Sequence, residues 1–155
     1  SVPTFNGTVR APSIPILAAH ALIHGLVQHG YAPDSYPLFR FLADLQDLVR
    51  RVPVPDHVVK YAVDLVRATR PKEPGAFDFV ARNVAWGAGP RASQYLVIGA
   101  KARAILAGRF AASVDDVRAL ARPVLRHRVL PNFTAESEGL TSAKLIDSIV
   151  ERVKA

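Results

Sequence analysis

The spacing of apolar residues along the chain predicts a helical protein. Between Phe41 and Val153, apolar side chains recur at intervals of three and four residues, which is the period of an amphipathic helix. No segment alternates between apolar and polar residues in the way that indicates a strand. The clearest helical stripe lies near the C-terminus and consists of Leu145, Ile146, Ile149, Val150 and Val153. We therefore predict an all-α fold, a helical bundle of about six or seven helices.

Prolines and an acidic residue predict where the helix that contains Phe41 ends and where the next helix begins. The helix that contains Phe41 should end before Pro53. The next helix should open at Pro55 and Asp56, because proline suits the first helical position and an acidic side chain suits the positive first turn. The apolar stripe predicted for this second helix is Val58, Val59, Ala62, Val63, Leu65 and Val66.

Further signals surround a helix predicted over 91–107. The loop Gly87–Pro90 precedes it, and Gly108 follows it where a left-handed cap belongs. The segment Ser113–Asp116 predicts a capping box at the start of the next helix. Pro123–Val129 is expected to form a further short helix that begins at the proline. The core face predicted for the helix over 91–107 is Ala92, Tyr95, Leu96, Gly99, Ala102 and Leu106.

The chain is expected to have two parts. Residues 1–43 form an unassigned N-terminal segment with one apolar helix, predicted over Ile14–Val27, and residues 44–155 form the helical domain. The apolar run is shorter than the about 20 residues that cross a bilayer, and no leader pattern opens the chain. We therefore expect a soluble, cytoplasmic protein with no membrane contact. Its apolar N-terminal helix should pack on the domain or drive self-association.

Composition removes several classes of function. The chain has no cysteine, which excludes disulfides, thiolate nucleophiles and cysteine zinc sites. His20 and His24 have the i, i+4 spacing of zinc-binding histidines but lack the accompanying acid, so we expect no metal site. The formal net charge of +7 would suit a nucleic-acid-binding protein. The basic residues are scattered rather than clustered with aromatics, so nucleic acid is not expected as a partner. No order of Ser, Asp and His indicates a catalytic residue.

A series of motifs from about Leu45 to Val153 resembles the C-terminal helical lid of MoxR-family AAA+ ATPases. The resemblance implies a lid that senses ATP and transmits its hydrolysis to chaperone-like remodelling. It implies as partners an AAA+ nucleotide-binding core, a ring of subunits and proteins with von Willebrand A domains, and as cofactor ATP with Mg. The motifs are Leu48–Asp56, Leu65–Pro71, Trp86–Ser93, Lys101–Ala104, Asp115–Leu120, Val124–Val129 and Asn132–Gly139.

The parts that hydrolyse ATP in such proteins do not occur in this sequence. The 155 residues contain no G-x-x-x-x-G-K-S/T loop and no acidic pair that follows a buried strand. We therefore expect this chain by itself to hydrolyse no ATP. Two other functions stay open: a helical adaptor that binds a protein partner, and a basic module whose nucleic-acid binding would depend steeply on salt.

Arg91 is the candidate nucleotide-sensing residue. The resemblance gives it the sensor-2 role, because it lies in the family's Gly-x-x-Pro-Arg-Ala setting. An arginine is always charged, and its planar guanidinium can grip phosphate oxygens. Pro90 should place Arg91 in the first turn of a helix, where the dipole and the exposed amides favour an anion.

Two further groups of residues are secondary candidates for the site. One is a loop anchor that includes the only tryptophan of the chain, for which ligand stacking is the alternative role. The other is a basic cluster that faces a partner or the ATPase core, or else hydrogen-bonds the last carbonyl groups of a helix. The loop anchor is Trp86, Gly87, Gly89 and Pro90, and the basic cluster is Arg126, His127 and Arg128.

Overall fold

The computed structural model describes residues 45–154, and this part of the chain is a helical bundle with one pair of short strands. The all-α prediction is confirmed. The predicted helix over Ile14–Val27 lies outside the described residues, as do His20 and His24. In chain order the elements are α1 (residues 45–51), α2 (Asp56–Arg67), α3 (Asp78–Asn83), β1 (Val84–Trp86), α4 (Arg91–Leu106), α5 (Val114–Leu125), β2 (Leu130–Pro131), α6 (Phe133–Ser137) and α7 (Ser142–Arg152).

The core lies where α4 and α5 pack together, with α2 and α7 against them. The predicted C-terminal stripe supplies one side of it, because Leu145, Ile146 and Ile149 of α7 are all buried. Burial of each large apolar side chain contributes about 1.5–3 kcal/mol to folding. The largest side chains that are almost fully buried are Tyr61, Leu65, Leu96, Leu125, Ile146 and Ile149. No helix in this described part is long and apolar enough to cross a membrane.

Helix α2 begins at Asp56 with Pro55 as its N-cap, one residue later than predicted, and two residues of its predicted stripe face outwards. Val59 and Val63 are exposed, whereas Tyr61 is 1% exposed and belongs to the core. Tyr61 was missing from the prediction because its hydroxyl favours a position with a polar partner. Arg118 supplies that partner, since its Nε donates to the Tyr61 hydroxyl at 3.2 Å.

Helix α4 ends as predicted, with Gly108 in the left-handed region at a φ of 67°. The amides of Gly108 and Arg109 donate to the carbonyls of Ile105 and Ala104, which closes the helix end. The assignment of Leu106 to the core is wrong, because this side chain is 45% exposed. Leu106 is the last residue of α4, where the chain already turns away at Gly108.

Helix α5 confirms one prediction and overturns another. Ser113 and Asp116 form the predicted capping box. Pro123 does not begin a separate helix, because it lies inside α5, which runs on to Leu125. A proline removes one backbone hydrogen bond and leaves a carbonyl group four residues earlier without its donor. Since Pro123 is on the exposed side of α5, water can satisfy that carbonyl.

Strands β1 and β2 pair antiparallel and were not predicted. Each is too short to display the alternation that marks a strand in a sequence. The neighbouring Asn132 strengthens the pairing: its amide donates to the Asn83 carbonyl at 2.9 Å, and its side chain donates to the Arg82 carbonyl at 2.7 Å. The strand pair therefore brings the segment before α4 next to the segment after α5.

Candidate functional site

Arg91 is the first residue of α4, and its side chain is exposed. Pro90 is the N-cap, as the sequence indicated. Among residues 45–154, the Arg91 guanidinium has neither a salt bridge nor a hydrogen bond. Within this part of the chain, its donors are therefore available to a ligand.

The loop before Arg91 is fixed by a close backbone approach at Gly87. A Cβ atom added at Gly87 would lie 2.4 Å from the carbonyl oxygen of Thr69 and 2.7 Å from the Cα of Arg70. Such distances exclude any side chain here unless the backbone moves. Glycine is thus required at position 87 for packing of the loop onto the end of α2.

Two residues that the sequence reasoning missed hold the same loop by hydrogen bonds. The Ala88 amide donates to the Thr69 hydroxyl at 2.8 Å, and Arg70 Nε donates to the Ala88 carbonyl at 3.0 Å. Thr69 is fully buried, and its hydroxyl also donates to the Val66 carbonyl. Both residues lie in the motif Leu65–Pro71, but a contact between positions 18 or 19 apart leaves no local signal in a sequence.

Arg70 has a carboxylate partner, in contrast to Arg91 among the described residues. Glu73 accepts hydrogen bonds from Arg67 at 2.8 Å and from Arg70 at 3.4 Å. The hydrogen bond from Arg67 is the main reason why the pKa of Glu73 is lowered. Arg70 therefore positions the loop rather than offering a free cation.

The opposite wall of the site is the end of α5. Arg128 Nη1 donates to the Val124 carbonyl at 2.6 Å, and its guanidinium lies 5.1 Å from the centre of the Tyr95 ring. Arg128 thus satisfies a last-turn carbonyl, one of the two roles that the sequence left open. It also contacts the ring of His127, while Arg126 is exposed nearby.

The surroundings of His127 lower its pKa, which favours the uncharged imidazole near neutral pH. Burial lowers its pKa below the usual 6.5, and the positive charges of Arg128 and Arg126 lower it further. A neutral imidazole beside two arginines can donate or accept a hydrogen bond without adding charge.

A cleft of about 240 Å³ lies between these two walls and contains Arg91 and Arg128, and none of the described residues that line it is acidic. The first amides of α4 add little, because those of Ala92 and Ser93 already donate to the carbonyls of Gly89 and Pro90. Attraction for an anion therefore comes from side chains and the helix dipole rather than from free amides. The lining residues are Trp86, Gly87, Gly89, Arg91, Ala92, His127, Arg128 and Leu130.

The prediction that Trp86 anchors the loop by packing is wrong, because its side chain is 71% exposed. Gly89 is exposed as well, and an added Cβ there would have open space around it. Pro90 is also exposed and acts as the helix cap. Of the four predicted anchor residues, Gly87 makes the tight contact.

A second cleft, of about 350 Å³, lies between the end of α2 and the end of α7. Asp64 and Glu73 line it and form salt bridges with Lys60 and Arg67. Arg152 and Lys154 add positive charge to this cleft. Its two carboxylates repel an anion, however, so it is a weaker candidate for an anion than the cleft at Arg91.

Comparison with known proteins gives a consistent result for this part of the chain. The family model of the AAA lid domain matches residues 78–149. "Chaperone MoxR1" of Mycobacterium tuberculosis is 31% identical over 112 residues, which cover 72% of this chain and 30% of that protein. "Protein MoxR" of Paracoccus denitrificans is 37% identical over 95 residues, which cover 57% of this chain and 28% of that protein.

A solved structure agrees with these relatives. The crystal structure of a candidate ATPase from Cytophaga hutchinsonii superposes with a TM-score of 0.70 at 30% identity, over 75% of this chain and 35% of that chain. The chain therefore spans about a third of the length of the relatives that it matches.

Proposed function

Since this chain carries the helical lid segment of a MoxR-family AAA+ ATPase, we propose that Arg91 senses the terminal phosphates of ATP. ATP, with Mg²⁺ held by an AAA+ core, binds between that core and the lid. The Arg91 guanidinium donates to oxygens of the terminal phosphates as charge-assisted hydrogen bonds. Hydrolysis removes this contact, so the preferred position of the lid changes with the state of the nucleotide.

The observation that carries this proposal is the contrast between Arg91, which lines a cleft with a second arginine, and the arginines that have a carboxylate partner. Most arginines of the described part have a carboxylate partner, whereas Arg91 lies in a cleft without an acidic side chain. An exposed salt bridge neutralises an arginine, but an unpaired arginine beside a second cation attracts a polyanion. The paired arginines are Arg50, Arg67, Arg70, Arg82, Arg103, Arg109, Arg118 and Arg122.

The wider role follows from the names of the relatives. Because one of them is named a chaperone, we propose that the lid passes nucleotide-dependent movement to a ring of subunits that remodels a client protein. Proteins with von Willebrand A domains are the proposed partners of that ring, and the cytoplasm is its proposed location.

The same ion pairs weaken the case for a nucleic-acid-binding module. Much of the positive charge that the sequence displays is matched locally by acidic residues, as in Lys60 with Asp64 and Arg122 with Asp147. Phosphate-backbone binding needs a continuous surface of unpaired cations.

The test joins the chain to a MoxR-type nucleotide-binding core and follows ATP-dependent movement of the lid with a pair of fluorophores. Arg91→Ala should weaken the coupling between ATP and lid position by about 1.5–3 kcal/mol, the value of a charge-assisted hydrogen bond. Arg51→Ala is the matched control, because Arg51 is an exposed arginine outside the cleft. Equal coupling in the two variants would remove the sensor role from Arg91.

A further inference from the structure

We infer that Trp86 is a stacking platform for the nucleobase of the nucleotide whose phosphates Arg91 contacts. This inference rests on the proposed function, and it assigns to the same cleft a contact with the aromatic part of the ligand. It thereby makes the lid responsive to the base as well as to the phosphates.

A bulge in the strand pair turns Trp86 out of the core. Val84 faces Pro131 and Trp86 faces Leu130, so three residues of β1 oppose two of β2. In a regular strand Trp86 would point to the same side as Val84, two residues earlier, which is 3% exposed. The extra residue breaks this alternation, and Trp86 is 71% exposed. Bulges are frequent beside functional sites because they re-aim a side chain.

The position of Trp86 is held on both sides. Its cross-strand neighbour is Leu130, and the next residue, Gly87, is wedged against the backbone of Thr69. The backbone on both sides of Trp86 is therefore held in place, next to the loop that leads into α4 and Arg91. A large exposed aromatic side chain on a fixed backbone presents a surface for a planar ligand.

The remainder of the cleft indicates what that ligand is. Trp86 and Leu130 supply an apolar wall, Arg91 and Arg128 supply positive charge, and no carboxylate from residues 45–154 lines the cleft. A molecule that matches both parts has a planar aromatic ring joined to phosphates, which is the chemistry of a nucleotide. Stacking on tryptophan is tolerant of sequence because each nucleobase has a π face. We therefore expect purine nucleotides to bind with little discrimination between adenine and guanine.

The chain offers a direct spectroscopic probe, because Trp86 is its only tryptophan. The purified chain is titrated with ATP and, separately, with inorganic tripolyphosphate, while the emission of Trp86 is recorded. ATP should quench this emission, and the signals of the adenine ring protons should move upfield in the ligand's NMR spectrum. Tripolyphosphate should displace ATP without reproducing the ring-current shift.

Substitutions separate the two halves of the cleft. Trp86→Ala should weaken ATP binding about fivefold or more and leave tripolyphosphate binding unchanged, whereas Trp86→Phe should retain most of the ATP affinity. Phe133→Ala is the control, because Phe133 is an 85% exposed aromatic residue outside the cleft. Arg91→Ala should weaken the binding of both ATP and tripolyphosphate.

The outcomes distinguish this inference from the function on which it rests. If Arg91→Ala weakens tripolyphosphate binding but Trp86→Ala leaves ATP binding unchanged, the stacking role is refuted and the phosphate role stands. If Arg91→Ala changes neither ligand, the proposed function fails first. Tighter binding of a single-stranded oligonucleotide than of ATP, with the same quenching, would overturn the assignment in favour of nucleic acid.

Discussion

The two ends of helix α4 carry arginines in opposite situations. At its C-terminal end, Arg103 and Arg109 converge on the Asp116 carboxylate at 3.1 and 2.5 Å, and this carboxylate is buried. At its N-terminal end, Arg91 has no carboxylate partner within residues 45–154. The ion pairs at the C-terminal end hold the bundle together, whereas within the described residues the charge of Arg91 at the N-terminal end is available to a ligand. The presence or absence of a buried acid separates a structural arginine from a candidate binding residue.

The two ends also differ in what fixes the backbone. Asp116 accepts hydrogen bonds from the Ser113 amide and hydroxyl, both at 2.9 Å, so side chains hold the corner between α4 and α5. At the other end, backbone contacts of Gly87 and Ala88 with Thr69 hold the loop. A loop that is fixed by its backbone can leave neighbouring side chains free for a ligand.

Removal of the buried carboxylate should produce the largest effect on stability. We expect Asp116→Ala to lower the free energy of unfolding by about 2–4 kcal/mol, because it deletes both an ion pair and a capping box. Urea unfolding followed by circular dichroism measures this change. Asp115→Ala is the control, since the Asp115 side chain is 88% exposed, and its effect should stay within about 0.5 kcal/mol. Equal effects of the two substitutions would contradict the structural role of the corner.

A methyl group at Gly87 should have the next largest effect. Gly87→Ala forces a Cβ to within 2.4 Å of the Thr69 oxygen, and we expect a loss of about 1–3 kcal/mol, as in overpacked cores. The matched variant is Gly89→Ala, where an added Cβ meets nothing within 4 Å. Thermal unfolding of both variants compares them directly. A Gly87→Ala protein as stable as the Gly89→Ala protein would mean that the loop is not packed on α2.

Acid should weaken the Asp116 corner selectively. Burial alone would raise the pKa of Asp116, but hydrogen bonds from Arg109 and Ser113 outweigh it, so the folded pKa lies below the usual 3.8. The contribution is therefore complete at a pH well above 3.8, declines as the pH approaches that value, and is lost as the pH falls through the lower, folded value. The difference in the free energy of unfolding between the natural chain and the Asp116→Asn variant should narrow over that range of pH. A gap that stays constant on acidification would refute this account of the corner.

Loss of Arg91 should have the smallest effect on folding. An exposed arginine without an ion pair adds little stability, so we expect Arg91→Ala to change the free energy of unfolding by less than about 0.5 kcal/mol. Arg109→Ala should cost more, because it leaves the buried Asp116 with one arginine fewer. Paired thermal melts compare the two variants. A larger loss for Arg91→Ala would place Arg91 among the structural residues.

Local signals in the sequence predicted the features that depend on neighbouring residues. The capping box of Ser113 and Asp116, the left-handed cap at Gly108 and the start of α4 at Pro90 and Arg91 each depend on a few adjacent positions. The spacing of apolar residues in α7 likewise reports one helical face.

Features that depend on distant residues were not predicted. The wedge of Gly87 on Thr69, the pairing of β1 with β2 and the burial of Tyr61 all join segments well apart in the chain. The exposure of Trp86 was misjudged for the same reason, because it results from a bulge that exists only when both strands are paired. The prediction for Pro123 was wrong because this proline lies on the solvent-facing side of α5. The backbone hydrogen bond that it removes is lost there at a low cost in free energy.

The difference between the two ends of α4 can be tested in one experiment. Inorganic tripolyphosphate is added to the isotopically labelled chain, and the shifts of the backbone amide signals are mapped by NMR. We expect the largest shifts at residues 87–92 and at His127 and Arg128, with no comparable change over 103–116. Shifts centred on 103–116, or spread evenly over all exposed basic residues, would contradict the assignment of the binding site to the Arg91 end.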